Sequence, residues 1–321
     1  MERKPLPILY IVIPCYNEEM VLPITAPLFL DKLNGLIGQN AISADSRILF
    51  VDDGSADNTW SLIRDLAASN SLYKGIALSR NHGQQSAMLA GLSEAIRYCD
   101  ITVTVDCDGQ DDLNAIDQMV AEYAKGSEIV YGVRSSRKSD TFFKRSSALL
   151  FYKMMNWLGV ETVYNHSEYR LMSARAVREL LQFKEVNLFL RGMVTLVGFK
   201  SSCVYFERHK RTAGDTHYST GKLMALAFEG ITSFSIKPIR MITILGVILI
   251  IFSLFGIAWG FWSYFSGSTV AGWPSLFCLI CFIGGIQLLS LGVIGEYVGK
   301  IYMETKSRPR FIIGERTDDH T

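Results

Sequence analysis

Between Met241 and Gly295 the chain has no Asp, Glu, Lys, Arg or His, whereas the 240 residues ahead mix charged and apolar residues as a water-soluble domain does. A helix needs roughly 20 apolar residues to cross a bilayer, so this stretch is long enough for two crossings and a short turn. The expected spans are about 239–261 and about 274–298. Between them SYFSGSTVAGW supplies the Gly and Ser of a turn, flanked by Trp259, Trp262, Tyr264 and Trp273 in the manner of an interfacial aromatic belt. A buried helical hairpin in a large soluble core is the alternative, and a charge-free stretch of this length disfavours it. Lys237 and Arg240 precede the first span, Lys300, Lys306, Arg308 and Arg310 follow the second, and the loop has no basic residue. Both termini are therefore expected on the cytoplasmic side, in a multi-pass arrangement. Arg3 and Lys4 precede only a short, proline-broken apolar stretch without a small-residue cleavage site, so no signal peptide is expected.

A formal net charge of +1 over 321 residues implies no nucleic acid partner. Six cysteines, at 15, 99, 107, 203, 278 and 281, follow no disulfide framework, and a cytoplasmic domain keeps them reduced. Cys278 and Cys281 form a C-x-x-C inside the second span with no further Cys or His nearby, which fits apolar packing better than zinc.

Ahead of the boundary, short apolar runs alternate with longer mixed segments. ILYIVIP (8–14), RILFVDD (47–53), KGIALS (74–79), ITVTVDCD (101–108) and EIVYGV (128–133) read as strands. Segments 18–34, 58–69, 83–98 and 114–125 read as helices, the second opened by Asp57 and the last by Asn114 as N-caps. This alternation predicts an α/β fold, a mostly parallel sheet covered on both faces. Ligands on such sheets bind beyond the carboxyl ends of the strands. Polar residues collect at those ends, as PCYNEE, DDGSADNT, SRNHGQQSA and DCDGQDD. Each alone is ordinary turn chemistry; four along one edge point to one site.

The last of these crowds Asp106, Asp108, Asp111 and Asp112 together. Like charges this close repel, so the cluster is either a solvated, helix-capping turn or the holder of something positive. No G-x-G-x-x-G follows the first strand and no G-x-x-x-x-G-K-[ST] occurs, which argues against dinucleotide oxidoreductases and P-loop nucleotidases. A nucleotide bound here would be gripped by side chains. Its diphosphate tolerates the aspartates only with a hard divalent cation between them, Mg2+ or Mn2+. His82, His166, His209 and His217 share no ligand spacing, and none is assigned to a metal.

VIPCYNEE, VDDGSADNT, NHGQQSAMLAG and DCDGQDD, in that order and spacing, resemble the GT-A fold glycosyltransferases of family 2. NHSEYRLMS, LRGM, RTAGDTHYS and FEGITSFSIKPIR, followed by two spans, narrow the resemblance to the polyisoprenyl-phosphate glycosyltransferases, the bactoprenol glucosyltransferase and dolichol-phosphate mannose synthase group. It covers about residues 8–310. It implies a Rossmann-like GT-A domain in which Pro14, Tyr16, Asn17, Glu18, Asp52, Asp53 and Gly54 grip the nucleoside. Asp106 and Asp108 match the pair that meets the metal and the donor diphosphate, with Gln110 just beyond and Arg134 as the basic residue of GVR. Two departures stand out: Glu168, Tyr169, Arg170 and Leu171 replace a common Asp-Phe-Arg-Leu, and His217 replaces a common Lys. The Q-x-x-R-W motif of processive polysaccharide synthases is absent, which favours a single sugar transfer.

The implied reaction is inverting transfer of one hexose to a polyprenyl phosphate, undecaprenyl phosphate, at the cytoplasmic face of a bacterial inner membrane. UDP-glucose is the first choice of donor, with UDP-N-acetylglucosamine, other UDP-hexoses and GDP-mannose behind it. A lipid monophosphate is largely ionised at neutral pH, so holding it matters more than deprotonating it. Arg134, Arg170, Arg211 and Lys222 are the candidate holders, with His217 in the same acceptor loop. Arg137, Lys144 and Arg145 read equally well as surface charge. Glu168 either orients an arginine, takes a proton from the monoanionic acceptor, or is an ordinary ion-pair partner of Arg170; Asp111 and Asp112 either act directly or start the next helix. Segments 142–160 and 221–240 read as interfacial helices, with core helices as the alternative. The expected organisation is a nucleotide-sugar core at 1–140, an acceptor-side part at 141–238, the two spans at 239–298 and a cytoplasmic tail at 299–321. The resemblance makes a homo-oligomer plausible. The rival is a catalytically silent, membrane-anchored nucleotide-sugar-binding subunit, disfavoured because Arg170, Arg211 and Lys222 are retained.

Overall fold

The computed structural model describes residues 5–135, 166–185, 190–207 and 273–318, together with single positions between 242 and 266. Arg145, Arg211, His217 and Lys222, and both proposed interfacial helices, lie outside the described residues.

The strands are β1 (Leu9–Cys15), β2 (Arg47–Asp52), β3 (Tyr73–Leu78), β4 (Ile101–Thr104), β5 (Ile129–Arg134), β6 (His166–Ser173), β7 (Ser201–Phe206) and β8 (Ile313–Arg316). They form one sheet in the order β7-β5-β6-β4-β1-β2-β3-β8. β1 pairs in parallel with β2 and β4, β2 with β3, and β5 with β7. Only β6 and β8 run against their neighbours, so the mostly parallel expectation holds. Every residue of β1 is buried, as a strand covered on both faces requires.

Helices α1 (Leu22–Gly38), α2 (Thr59–Ser69), α3 (Gln84–Ala95) and α4 (Ala115–Ala124) follow the first four strands; α5 (Ala174–Gln182) and α6 (Leu190–Leu196) follow β6. Leu22, Phe29 and Leu33 of α1 and Ile116 and Met119 of α4 share a core with Leu9, Ile11 and Ile13 of β1. The intervening side chains of β1 point to the other face. There Gly91 of α3 lies so close to the sheet that a Cβ would sit 2.4 Å from Val12 and 2.7 Å from Val51. Alternation along one strand thus feeds two helical layers. Each buried Leu, Ile or Phe contributes about 1.5–3 kcal/mol, which makes the centre of the sheet its most stable part.

β4 stops at Thr104, four residues short of the expected strand, so the whole aspartate cluster lies beyond it. The greater difference is at the carboxyl end of the chain. Residues 308–318 belong to the same compact unit as the sheet, whereas 273–307 belong to a second unit. The expected tail supplies β8, which pairs antiparallel with β3. Glu315 accepts from Trp60 Nε1 at 2.9 Å, and Arg316 donates to both carboxylate oxygens of Glu94 at 3.2 and 3.3 Å.

In the second unit, α7 (Trp273–Thr305) is a helix of 33 residues. Its Phe282–Thr305 stretch is long and apolar enough to cross a membrane, and none of its most apolar window is fully buried. Leu288, Leu289 and Leu291 are each more than half exposed on it, which fits lipid rather than a protein core. Among the described residues this is the one such helix, so one crossing of the expected pair is seen as a candidate span.

Candidate active site

The carboxyl ends of β1 and β2 are joined by hydrogen bonds between their loops. Asn17, at a positive φ of 55°, donates its N–H to Ser55 Oγ at 3.0 Å and accepts from the Ala56 N–H at 2.9 Å. The Glu18 N–H reaches Thr59 Oγ1 at 2.9 Å and the Glu19 N–H reaches Asp57 Oδ2 at 3.2 Å. Asp57 also accepts from the Thr59 N–H at 3.0 Å, so it caps α2 from one position outside the N-cap Asn58. Tyr16 is 47% exposed over this joint, an open aromatic face beside Asn17. Pro14 is buried in β1 opposite Val51 and contributes backbone to the edge.

Asp52 and Asp53 diverge. Asp53 accepts from the His82 N–H at 2.8 Å and the Gly83 N–H at 2.9 Å, one bond per oxygen, and ties β2 to the loop before α3. Gly54 permits this approach: its φ is +66°, and a Cβ there would lie 2.4 Å from the Arg80 carbonyl carbon. Asp52 receives the Ser55 N–H on Oδ2 at 3.2 Å, while its Oδ1 is buried with no hydrogen-bond partner among the described residues. Burial raises the carboxyl of both residues above the ordinary range.

Beyond β4, Asp106 accepts from Gln84 Nε2 at 2.8 Å and Asp108 accepts the Gln110 N–H at 3.1 Å in the turn through Gly109. Asp106 is pushed up to about 7, first by loss of water around it, then by the negative charges of Asp111, Asp108 and Glu168, with Arg134 acting the other way. The negative charges around it outweigh the positive one of Arg134. Two carboxylates with hard oxygens at this spot fit a divalent cation completed by phosphate oxygens. Among the described residues no group of three or more His, Cys, Asp or Glu side chains is arranged to hold a metal by itself. Asp112 accepts the Asn114 N–H at 2.9 Å, so it does serve the start of α4.

Glu168 and Arg170 arrive from β6. Because β6 runs antiparallel to β4, with Thr104 opposite Arg170, its beginning lies at the edge where the parallel strands end. Glu168 accepts from Arg170 on Oε2 and from Arg191 Nε on Oε1 at 2.8 Å. Arg170 is fully buried and also donates to the Leu190 carbonyl at 3.3 Å. Its guanidinium is buried and paired with Glu168. Sequence reasoning did not assign Arg191, Glu19 or Gln84; LRGM was the only signal for Arg191, and it carried no role.

A cleft of about 390 Å3 between α1 and the start of α4 is lined by Phe29, Lys32 and Asp117 and reaches the aspartate turn at Gly109, Asp111 and Asp112. Lys32 bridges it to Asn114 at 2.9 Å and Asp117 at 2.7 Å. Cys15, Cys99, Cys107 and Cys203 are free thiols.

Residues 10–181 match the family described as Glycosyl transferase family 2. The uncharacterized glycosyltransferase YkoT of Bacillus subtilis is 47% identical over 96% of this chain and 91% of its own. The prophage bactoprenol glucosyl transferase homolog of Escherichia coli is 37% identical over 94% of this chain and 97% of its own. The likeness to solved structures is looser: glucosyl-3-phosphoglycerate synthase from Mycobacterium tuberculosis is 15% identical at a TM-score of 0.44, over 70% of this chain and 78% of that one.

Proposed function

The chain belongs to glycosyl transferase family 2 and is a glycosyltransferase, and from that premise we propose that it transfers a single hexose, glucose from UDP-glucose, to undecaprenyl phosphate with inversion at the anomeric carbon. The observation that carries this reading is the pairing on one sheet edge of an acidic half, Asp106 and Asp108, with a basic half, Arg170 and Arg191 around Glu168. The first suits a nucleoside diphosphate leaving group with its cation, the second an anionic nucleophile. Relatives named bactoprenol glucosyl transferase, similar over nearly the whole chain, support a lipid carrier as acceptor.

In this reading the uracil stacks on Tyr16 and donates to the unpaired Oδ1 of Asp52, while Asp53 and Gly54 hold the 80–83 loop beneath it. Asp106 and Asp108 hold a divalent cation, whose chemistry is to stabilise the charge developing on the departing diphosphate. Gln84 keeps Asp106 aimed at that position. Arg134, which acts electrostatically on Asp106, lies where it offsets the same negative charge. The acceptor arrives already ionised, so Glu168 need not act as a base. Its two guanidinium partners make it a positioning residue. Arg211, Lys222, Arg145 and His217 are proposed to complete the acceptor-side contacts.

Chain connectivity supports the proposed membrane arrangement. β7 and β8 belong to one sheet, so the chain leaving after Phe206 returns by Ile313 to the compartment it left. A crossing by α7 would call for a second one, and the apolar 239–261 segment, free of charge after Arg240, is where we place it. Catalytic unit and both termini are proposed to be cytoplasmic, as the basic flanks favour.

The test is transfer of radiolabelled sugar from a panel of nucleotide sugars to undecaprenyl phosphate, with and without chelator. UDP-glucose is expected to give a lipid-linked product and chelator to abolish it. No lipid-linked product from any donor would sink the enzyme's proposed reaction, and full activity in chelator would sink the cation.

A further inference from the structure

The strand that follows α7 is laid against the donor half of the site edge. Only residues 306–312 separate the end of α7 from β8. Because β8 runs against β3, its first residues lie where β3 ends. There the Ser79 N–H donates to the Ile312 carbonyl at 2.9 Å. Ser79 opens the loop in which Arg80 packs under Gly54 and the His82 and Gly83 N–H groups hold Asp53. Further along, Glu315 Oε2 accepts from Trp60 Nε1 at 2.9 Å. Trp60 stands in the first turn of α2 beside Thr59, whose Oγ1 receives the Glu18 N–H at 2.9 Å and donates to Asp57 at 2.6 Å. One short stretch, 312–315, thus touches both the loop after β3 and the helix start that joins the loops after β1 and β2. The other end of the strand is tied elsewhere. Thr317 exchanges two hydrogen bonds with Gly75, at 3.0 and 3.1 Å, and Asp318 accepts from Lys74 at 2.6 Å, all near the start of β3 and away from the site edge.

We propose that residues 312–315 are a positioning element for the donor: Ile312 and Glu315 fix the loops that hold the nucleotide, so donor affinity depends on the segment that follows the candidate span. The inference rests on the nucleotide-sugar donor proposed above. Its physical reason lies in the donor half being made of loops, the parts of a fold that open at least cost. Without β8, β3 is an edge strand and the loop after it loses its tie at Ser79. A nucleotide that binds only the ordered loops then loses affinity in proportion to the fraction of molecules that have them ordered. The ties at Thr317 and Asp318 hold the same strand to the same sheet, but they act on the start of β3 and reach neither loop. Position along the strand therefore separates an effect on the donor from an effect on stability.

The test measures binding of UDP with Mn2+ to the full chain in detergent. Glu315→Ala and Trp60→Phe are each expected to weaken UDP about threefold, the lower end of what one hydrogen bond is worth, and the double variant no more than either, since both remove one contact. In transfer the donor KM rises by the same factor while kcat and the acceptor KM stay within about twofold. Lys74→Ala and Asp318→Ala, at the other end of the strand, leave UDP affinity unaltered. A chain ended at Ser307 loses at least about tenfold in UDP affinity, and a peptide of residues 308–318 added in trans restores it. Should the shortened chain not fold, the side-chain variants decide. Equal UDP affinity in the unaltered chain, Glu315→Ala and Trp60→Phe overturns the inference. So does an equal loss in Lys74→Ala, which would make β8 a general brace of the sheet. An unaltered chain that binds GDP with Mn2+ and not UDP would fail the proposed donor alone, and the same ratios would then be read with GDP.

Discussion

The two halves of the site edge are built differently. The donor half consists of loops that follow β1, β2, β3 and β4 in chain order, and they hold one another through backbone N–H groups and short side chains such as Asn17, Ser55, Asp57 and Thr59. The half proposed for the acceptor comes from β6, a strand inserted antiparallel between β4 and β5, and is held by long charged side chains. The donor half is a set of turns, and the acceptor half is a buried ion cluster. Losing one member therefore means different things: a turn can refill its hydrogen bonds from water, whereas a buried charge cannot.

Glu168→Ala tests this difference most severely. It leaves the fully buried Arg170 without its carboxylate, and a destabilisation of about 3–5 kcal/mol is expected, read as a fall in thermal unfolding midpoint. Asn17→Ala in the exposed donor loops should cost about 1 kcal/mol in the same measurement. Equal losses would break the comparison. Asp108→Asn sharpens it from the chemical side: folding should persist while sugar transfer drops about 100-fold, close to 2.7 kcal/mol of barrier. An Asp108→Asn variant with ordinary turnover would remove the donor pair from the mechanism.

Gly54→Ala probes the backbone of the donor half. At a φ of +66° and against the Arg80 backbone, the added Cβ should cost about 2 kcal/mol and displace the loop that Asp53 holds, weakening UDP binding. Unaltered UDP affinity would show that this loop does not set the donor pocket. The smallest effect is expected at the far edge of the sheet, in a double-mutant cycle of Glu94→Ala and Arg316→Ala. A coupling of about 0.5–1 kcal/mol in stability should appear with donor and acceptor KM untouched, because Arg316 is one-third exposed and its ion pair screened.

How far each half was legible follows from the same contrast. Strands β1 to β5 and helices α1 to α4 were readable because their apolar runs and cap residues are local, and the boundaries shift by a few residues only. The position of Asp106 and Asp108 at the sheet edge was legible because a parallel strand delivers its next loop there without further information. Asp53 shows the limit of that reasoning. An aspartate at a strand end can meet a ligand or a neighbouring loop, and here both oxygens accept from His82 and Gly83. Arg191 was given no role because its ion-pair partner, Glu168, lies 23 residues away on another element. The pairing of β8 with β3 joins residues on either side of the charge-free stretch, and nothing local in IGER marks it as a strand of this sheet.

The sequence by itself determined the α/β alternation, the polar edge, the acidic pair and the charge-free segment, because each is written in neighbouring residues whose periodicity, turn chemistry or hydropathy acts locally. The family follows from the same motifs. Tertiary structure alone decided which arginine is buried and which is open, that Glu168 is clamped by both, and that the end of the chain closes the sheet from which it set out. Those are outcomes of strand order and burial. They depend on which distant segments exclude water from one another, and no short stretch of sequence contains that information.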